Sequence, residues 1–282
     1  SRASPDSSTG APASISDTGS MSLMDRDMNK RTVDGVAGQM GAAPRRRLRI
    51  DVDGLKRRWF RDAKGERTTL PREFQEIKRP LLDAALGRGM PALANGRRIM
   101  VTSALPREGK TFCSINLALS IAAERDHGVV LVDADVARPS VPRELGVRTD
   151  RGLIDCLLDD SLSPAEVVCG TNIKRFSILP AGIRHRNATE LLSSAAMSRF
   201  LDRLSRLYPD EIIVFDSPPL MVTSESRVLA SHMGQIVLVV AAGETPRDVV
   251  NEAIGKLGST AIAGVVLNKM SANRRAGYYG LY

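Results

Sequence analysis

The stretch Val101-Thr-Ser-Ala-Leu-Pro-Arg-Glu-Gly-Lys-Thr111 decides how the rest of the chain is read. It runs as an apolar strand end, a tight loop and a helix beginning at Lys110, which is the layout of a phosphate-binding loop. Successive backbone N–H groups at a helix N-terminus converge on one spot, and the helix dipole adds partial positive charge there. The nucleotide-binding candidates are therefore Pro106, Arg107, Glu108, Gly109, Lys110, Thr111 and Phe112. Lys110 would reach the β/γ-phosphates, and the Thr111 hydroxyl would sit on Mg²⁺. The first glycine of the usual pattern is replaced by Ala104.

Composition sets the bounds. The chain has 282 residues, 43% of them hydrophobic and only 4% aromatic, which suits an aliphatic α/β core. A formal charge of +8 favours an anionic partner, with a basic concentration at Arg45, Arg46, Arg47, Arg49, Lys56, Arg57 and Arg58. Cys113, Cys156 and Cys169 are odd in number and lack C-x-x-C spacing, which argues against a disulfide framework or a cysteine metal site. No apolar run reaches the length of a membrane span.

Four regions follow from the patterning. Residues 1–44, rich in Ser, Gly, Ala, Asp and Thr, are expected to form a disordered arm. Residues 45–95 hold a basic docking segment and then a helical period over Phe74, Ile77, Leu81 and Leu82, with Pro80 expected to break or kink it. Residues 96–270 alternate strands with helices. The strands are predicted at 99–103, 129–132, 176–179, 212–215, 236–240 and 262–267, and the helices at 110–125, 188–206, 224–231 and 247–257. Short apolar β-branched runs are the mark of strands buried on both faces, so the expected fold is α/β, an open, mostly parallel sheet covered by helices on both sides. Residues 271–282 are expected to be a flexible tail.

Ligands of such sheets bind at the carboxyl ends of the strands, and the chemistry-bearing residues fall there. One strand ends in Val130-Leu-Val-Asp133-Ala-Asp135, whose two carboxylates would face the phosphates, unless one of them caps the next helix. Another ends in Asp216-Ser-Pro-Pro219, the usual place of a second Mg²⁺ anchor. The last strand ends at Asn268, a candidate for the nucleotide base; Ser271 stands where a guanine-reading Asp would be, which favours ATP. Three of the four tyrosines, Tyr278, Tyr279 and Tyr282, crowd the last five residues between glycines and read as phosphoacceptors rather than core.

The phosphate loop, Asp133-x-Asp135, Asp216-Ser-Pro-Pro and the terminal tyrosines together resemble the bacterial tyrosine kinases of exopolysaccharide export. Ile77-Lys-Arg-Pro-Leu-Leu82, Val132-Asp-Ala-Asp-Val-Ala-Arg-Pro-Ser140, Leu179-Pro-Ala-Gly182 and Asn187-Ala-Thr-Glu-Leu-Leu192 resemble the exosortase-associated branch. The resemblance implies a deviant-Walker P-loop NTPase architecture of the MinD/ParA type. It also implies ATP-dependent autophosphorylation of the tail, mostly between protomers of a ring-like homo-oligomer. Lys110 and Thr111 would hold phosphates and Mg²⁺, Asp135 and Asp216 would serve the metal, and Asp133 would act as base toward the phenol. Implied partners are a separate transmembrane chain-length-determinant activator and a tyrosine phosphatase. The implied location is cytoplasmic, peripheral at the inner face of the plasma membrane.

The sequence departs from that family at Ala104 and at Ala137, where many members carry Arg. The family's oligomerisation helix spaces Glu, Arg and Arg by three around an aromatic; aligned on Phe74, those places hold Arg72, Gln75 and Lys78. The main alternative is an ATP-switch ATPase of the septum-positioning and partition type, without kinase activity. That class carries a signature Lys where this chain has Leu105, and has no use for a Tyr-rich end. An iron–sulfur carrier lacks suitably spaced cysteines here, and nucleic-acid binding through Arg45–Arg58 is the weakest reading.

Overall fold

The order of elements follows from the alternation of short apolar runs with amphipathic stretches. The structure, a computed structural model, describes residues 46–59, 69–89, 91–258 and 262–270. The chain enters as β1 (Arg46–Leu48), α1 (Val52–Trp59) and α2 (Leu70–Leu86). It continues through β2 (Arg98–Ser103), α3 (Lys110–Ala122), β3 (Val129–Asp133), α4 (Val141–Leu145), α5 (Leu153–Leu158), α6 (Pro164–Val167), β4 (Cys169–Thr171) and β5 (Phe176–Leu179). It closes with α7 (Ala188–Leu192), α8 (Ala195–Leu207), β6 (Ile212–Asp216), α9 (Glu225–Ser231), β7 (Gln235–Ala241), α10 (Arg247–Leu257) and β8 (Ile262–Asn268).

Among the described residues the strands form one sheet in the order β1-β4-β5-β3-β6-β2-β7-β8. Every pair is parallel except β4 with β5. Strand residues alternate between two cores, as the two-residue period of a pleated strand requires. Val130, Val132, Ile213 and Phe215 pack with α5 and with α7 through α10. Val129, Leu131, Ile212 and Val214 pack under α1, α2 and α3.

The basic segment does not stand apart from this body. Leu48, Ile50 and Leu55 are buried in the second core, while Arg46, Arg47, Arg49, Lys56, Arg57 and Arg58 are exposed. A short amphipathic stretch has put its apolar side on the sheet edge and left its charge in water. The helix around Phe74 runs unbroken through Pro80 from Leu70 to Leu86. Pro80 and Glu76, whose carbonyl loses its helical partner to the ring, are both exposed, so water can replace the missing bond. The helix read over 188–206 is two, α7 and α8, divided at Ser193 and Ser194; the one read over 110–125 ends at Ala122. Residues 1–44 and the tail tyrosines Tyr278, Tyr279 and Tyr282 lie outside the described residues.

Lys78, which alone keeps a basic charge where the oligomerisation-type helix carries Arg, is used inside the chain. Its ammonium is buried, donates to the Ser120 carbonyl at 2.9 Å and pairs with Glu124 at 2.5 Å. Arg72 pairs with Glu76 on its own helix, at 3.4 Å.

Candidate active site

Four strand ends converge at one edge of the sheet. β2 delivers the phosphate loop, β3 delivers Asp133 and Asp135, β6 delivers Asp216 and β8 delivers Asn268. The loop after β2 is pinned by its neighbours: Thr102 Oγ1 donates to the Pro218 carbonyl, and the N–H groups of Leu220 and Met221 donate to the carbonyls of Ser103 and Ala104. Ala104 is fully buried, and among the described residues the non-glycine ones with positive φ are Asn95, Arg107, Arg175 and Lys269. The first-glycine position therefore needs no left-handed backbone, and alanine fits it. Gly109 does need glycine: its φ is +95°, and a Cβ there would lie 1.9 Å from Asn268 Nδ2.

α3 starts at Lys110 directly behind Gly109, so the N–H groups of its first turn have no acceptor within the helix. The Phe112 ring takes no part in that array. It packs edge-on against Trp59 at 5.6 Å and Phe74 at 6.3 Å, leaving only its main chain to face the loop.

Asp216 is fully buried. Its Oδ2 accepts from Thr111 Oγ1 at 2.7 Å and its Oδ1 from Ser114 Oγ at 3.1 Å. Since the single Thr111 proton goes to Asp216, Ser140, 2.9 Å from the same hydroxyl, is the donor to Thr111. Burial pushes the Asp216 carboxyl up to about 6, against the pull of the Thr111 hydrogen bond. Directly opposite Asp216 in the β3–β6 register lies Asp133, also fully buried. Asp133 Oδ2 accepts the N–H groups of Ser140 and Val141, at 2.9 and 3.0 Å, and so caps α4. Its Oδ1 is buried without a partner. Burial first, then the Asp216 charge, holds this carboxyl well above the usual range. Capping and a free reactive oxygen, alternatives in the sequence, are thus divided between the two oxygens of one side chain. Asp135 Oδ1 accepts from the Arg138 N–H, while Oδ2 lies 3.6 Å from Lys110 Nζ.

Glu108 and Asn268 are tied to each other and to neighbouring strand ends. The Glu108 side chain is buried and bonds to protein donors, and Asn268 Nδ2 donates to the Glu108 carbonyl at 2.9 Å. Ser114, Ser140 and Thr245 were not singled out in the sequence. Ser140-Val-Pro, a helix start with Pro in its first turn, was the available signal for the second.

The oxygens gathered here suit a hard cation. No group of three or more His, Cys, Asp or Glu side chains among the described residues forms a metal cage of its own. Magnesium does not need one, since it takes one or two carboxylates and completes its shell with phosphate oxygens and water. The pair Thr111–Asp216, with Asp135 nearby beside Lys110, supplies the donors such an ion would meet, and the orphaned Asp133 Oδ1 is left free to accept a proton.

The chain is similar to known proteins in sequence and fold. A family model described as ParA: NUBPL iron-transfer P-loop NTPase matches residues 96–272. Tyrosine-protein kinase YwqD of Bacillus subtilis is 31% identical over 212 residues, 74% of this chain and 85% of YwqD. Succinoglycan biosynthesis transport protein ExoP of Rhizobium meliloti is 30% identical over 195 residues, 67% of this chain and 24% of ExoP. The solved VpsO kinase domain superposes with a TM-score of 0.61 at 32% identity, over 71% of this chain and 96% of that domain. Iron transfer calls for exchangeable thiolates. Here Cys113, Cys156 and Cys169 are buried, and burial pushes the first two thiols up to about 12.

Proposed function

Because the chain belongs to the bacterial tyrosine-protein kinases, built on the ParA-type P-loop NTPase domain, we propose that it uses ATP and Mg²⁺ to phosphorylate its own terminal tyrosines. The observation that carries this is the pairing of a phosphate loop with a buried, unpartnered carboxylate oxygen on Asp133. In this reading the main chain from Arg107 to Phe112 cradles the phosphates, and Lys110 leaves Asp135 for the β/γ-phosphates. Thr111, Asp135 and Asp216 hold Mg²⁺, which supplies neutralisation of phosphate charge. A tyrosine oxygen attacks the γ-phosphorus, the bond to ADP breaks, and the phenolic proton passes to Asp133.

The acceptors follow from elimination. Of four tyrosines, Tyr208 is 4% exposed, and burial pushes its phenol up to about 12. Any phenol that can reach a second molecule is therefore Tyr278, Tyr279 or Tyr282. Transfer between protomers of a homo-oligomer fits a tail that begins three residues after Asn268, itself at the site's edge. With Lys78 held internally, an assembly through α2 would rest on Gln75 and Arg79, both exposed.

No described helix is long and apolar enough to cross a membrane. The match to one quarter of ExoP supports a partner chain carrying a transmembrane, chain-length-determinant part, with this chain peripheral at the inner membrane face and a phosphatase resetting the tail. The segments at 77–82, 132–140, 179–182 and 187–192 favour the exosortase-associated branch and a role in exopolysaccharide polymerisation or export.

Replacing Tyr278, Tyr279 and Tyr282 by Phe tests the acceptor assignment. The variant is expected to bind ATP normally and to incorporate no phosphate from radiolabelled ATP. Continued labelling at another residue would defeat the assignment.

A further inference from the structure

A carboxylate buried inside a phosphate-binding loop is an expensive choice for packing alone, since a charge taken out of water must be fully hydrogen-bonded to be tolerated. Glu108 is 3% exposed, and its carboxylate is answered by N–H and hydroxyl donors of the chain itself. Its Oε2 accepts the Leu105 N–H within the loop. Its Oε1 accepts the Ala241 N–H at the end of β7, at 3.3 Å, and the Thr245 hydroxyl from the connection leading into α10. Its carbonyl accepts Asn268 Nδ2 from the end of β8. Three strand ends thus meet on one residue.

The backbone on either side is the kind that relaxes when released. Arg107 stands at φ +67°, a left-handed conformation that costs a residue with a side chain on the order of 1 kcal/mol. Gly109 stands at +95°, with the Asn268 amide in the space its missing side chain leaves. Both belong to the N–H array that the phosphates would occupy.

We propose that Glu108 is a positioning residue that clasps the phosphate loop to the ends of β7 and β8, holding the phosphate-binding and base-binding segments in one preformed geometry. The proposal rests on the ATP-binding reading above and deepens it. A clasped loop meets the triphosphate already ordered; a released one must be ordered by the nucleotide, and the cost appears as lost affinity. The clasp also connects Thr245, outside the loop, to phosphate binding.

Glu108→Gln is the sharpest probe, because a carboxamide cannot accept at both ends. Whichever way it turns, its NH₂ faces the N–H of Leu105 or of Ala241. We expect its Kd for a non-hydrolysable ATP analogue with Mg²⁺, measured by calorimetry, to rise about tenfold. KM for ATP should rise in parallel, with kcat at saturating ATP much less affected. Thr245→Val should weaken binding about threefold, Thr245→Ser should restore it, and the double variant Glu108→Gln/Thr245→Val should bind no worse than Glu108→Gln alone. A merely architectural glutamate would lower the unfolding temperature without this split between KM and kcat. Unaltered affinity in Glu108→Gln, or losses that simply add in the double variant, would overturn the clasp. If Glu108→Gln does not fold, the Thr245→Val and Thr245→Ser pair decides the matter alone. Failure of the unaltered chain to bind the analogue would be a separate result, overturning the ATP-binding reading and the clasp with it.

Discussion

Asp216→Asn is expected to give a chain that makes no phosphotyrosine yet unfolds at higher denaturant than the original. Burial raises this carboxyl from 3.8 to about 6 in the folded chain. Between those values the folded state holds a proton that the unfolded state has lost. The stability this carboxyl contributes is therefore complete below the unfolded value, falls as pH rises through about 6, and is gone at pH 8. Ionised at pH 8, the folded chain carries a burden on the order of 3 kcal/mol. An amide removes it and still fits. Its Oδ1 can accept from Thr111, and its NH₂ can donate to Ser114 Oγ, whose own proton is then free to turn to the Lys110 carbonyl. Urea unfolding at pH 8, without Mg²⁺ or nucleotide, reads the gain; an Asn variant less stable than the original would refute this account of the strain. The same variant loses the carboxylate proposed to hold Mg²⁺, hence the expected loss of activity.

Asp133→Asn should separate chemistry from architecture. One amide oxygen can still receive the Ser140 and Val141 N–H groups, so α4 keeps its cap. What disappears is the carboxylate able to take the phenolic proton. Loss of a general base costs about 10²- to 10⁴-fold in rate, so phosphorylation should fall by that order while ATP-analogue binding stays near that of the original. Asp133→Ala should do the same and also lose about 1 kcal/mol of stability with the cap. If Asp133→Asn transfers phosphate at an undiminished rate, the proton goes elsewhere and Asp133 is only a cap.

What the sequence made legible is local. β3 and β6 are uninterrupted apolar runs ending in Asp, and β2 runs into Gly-Lys-Thr; such patterns mark a strand and its chemical end together. β1 and β4 were not legible, because Arg-Arg-Leu and Cys-Gly-Thr are strands only through partners far along the chain. The same holds within the site. Lys110, Thr111, Asp133, Asp135 and Asp216 announce themselves at strand and helix ends. Thr245 matters through a bond to a residue 137 positions away, and Lys78 is spent on a helix that no local pattern ties to it. Hydrogen bonds between distant segments leave no periodicity to read.

The most direct test of the account is intact-mass and peptide mass spectrometry of the chain after incubation with ATP and Mg²⁺, alone and with the cytoplasmic segment of a chain-length-determinant partner. Lys110→Met serves as the matched control. The account predicts phosphate on Tyr278, Tyr279 or Tyr282 that is absent from the control. A tail left unmodified while the chain still hydrolyses ATP would contradict it and favour the ATP-switch alternative.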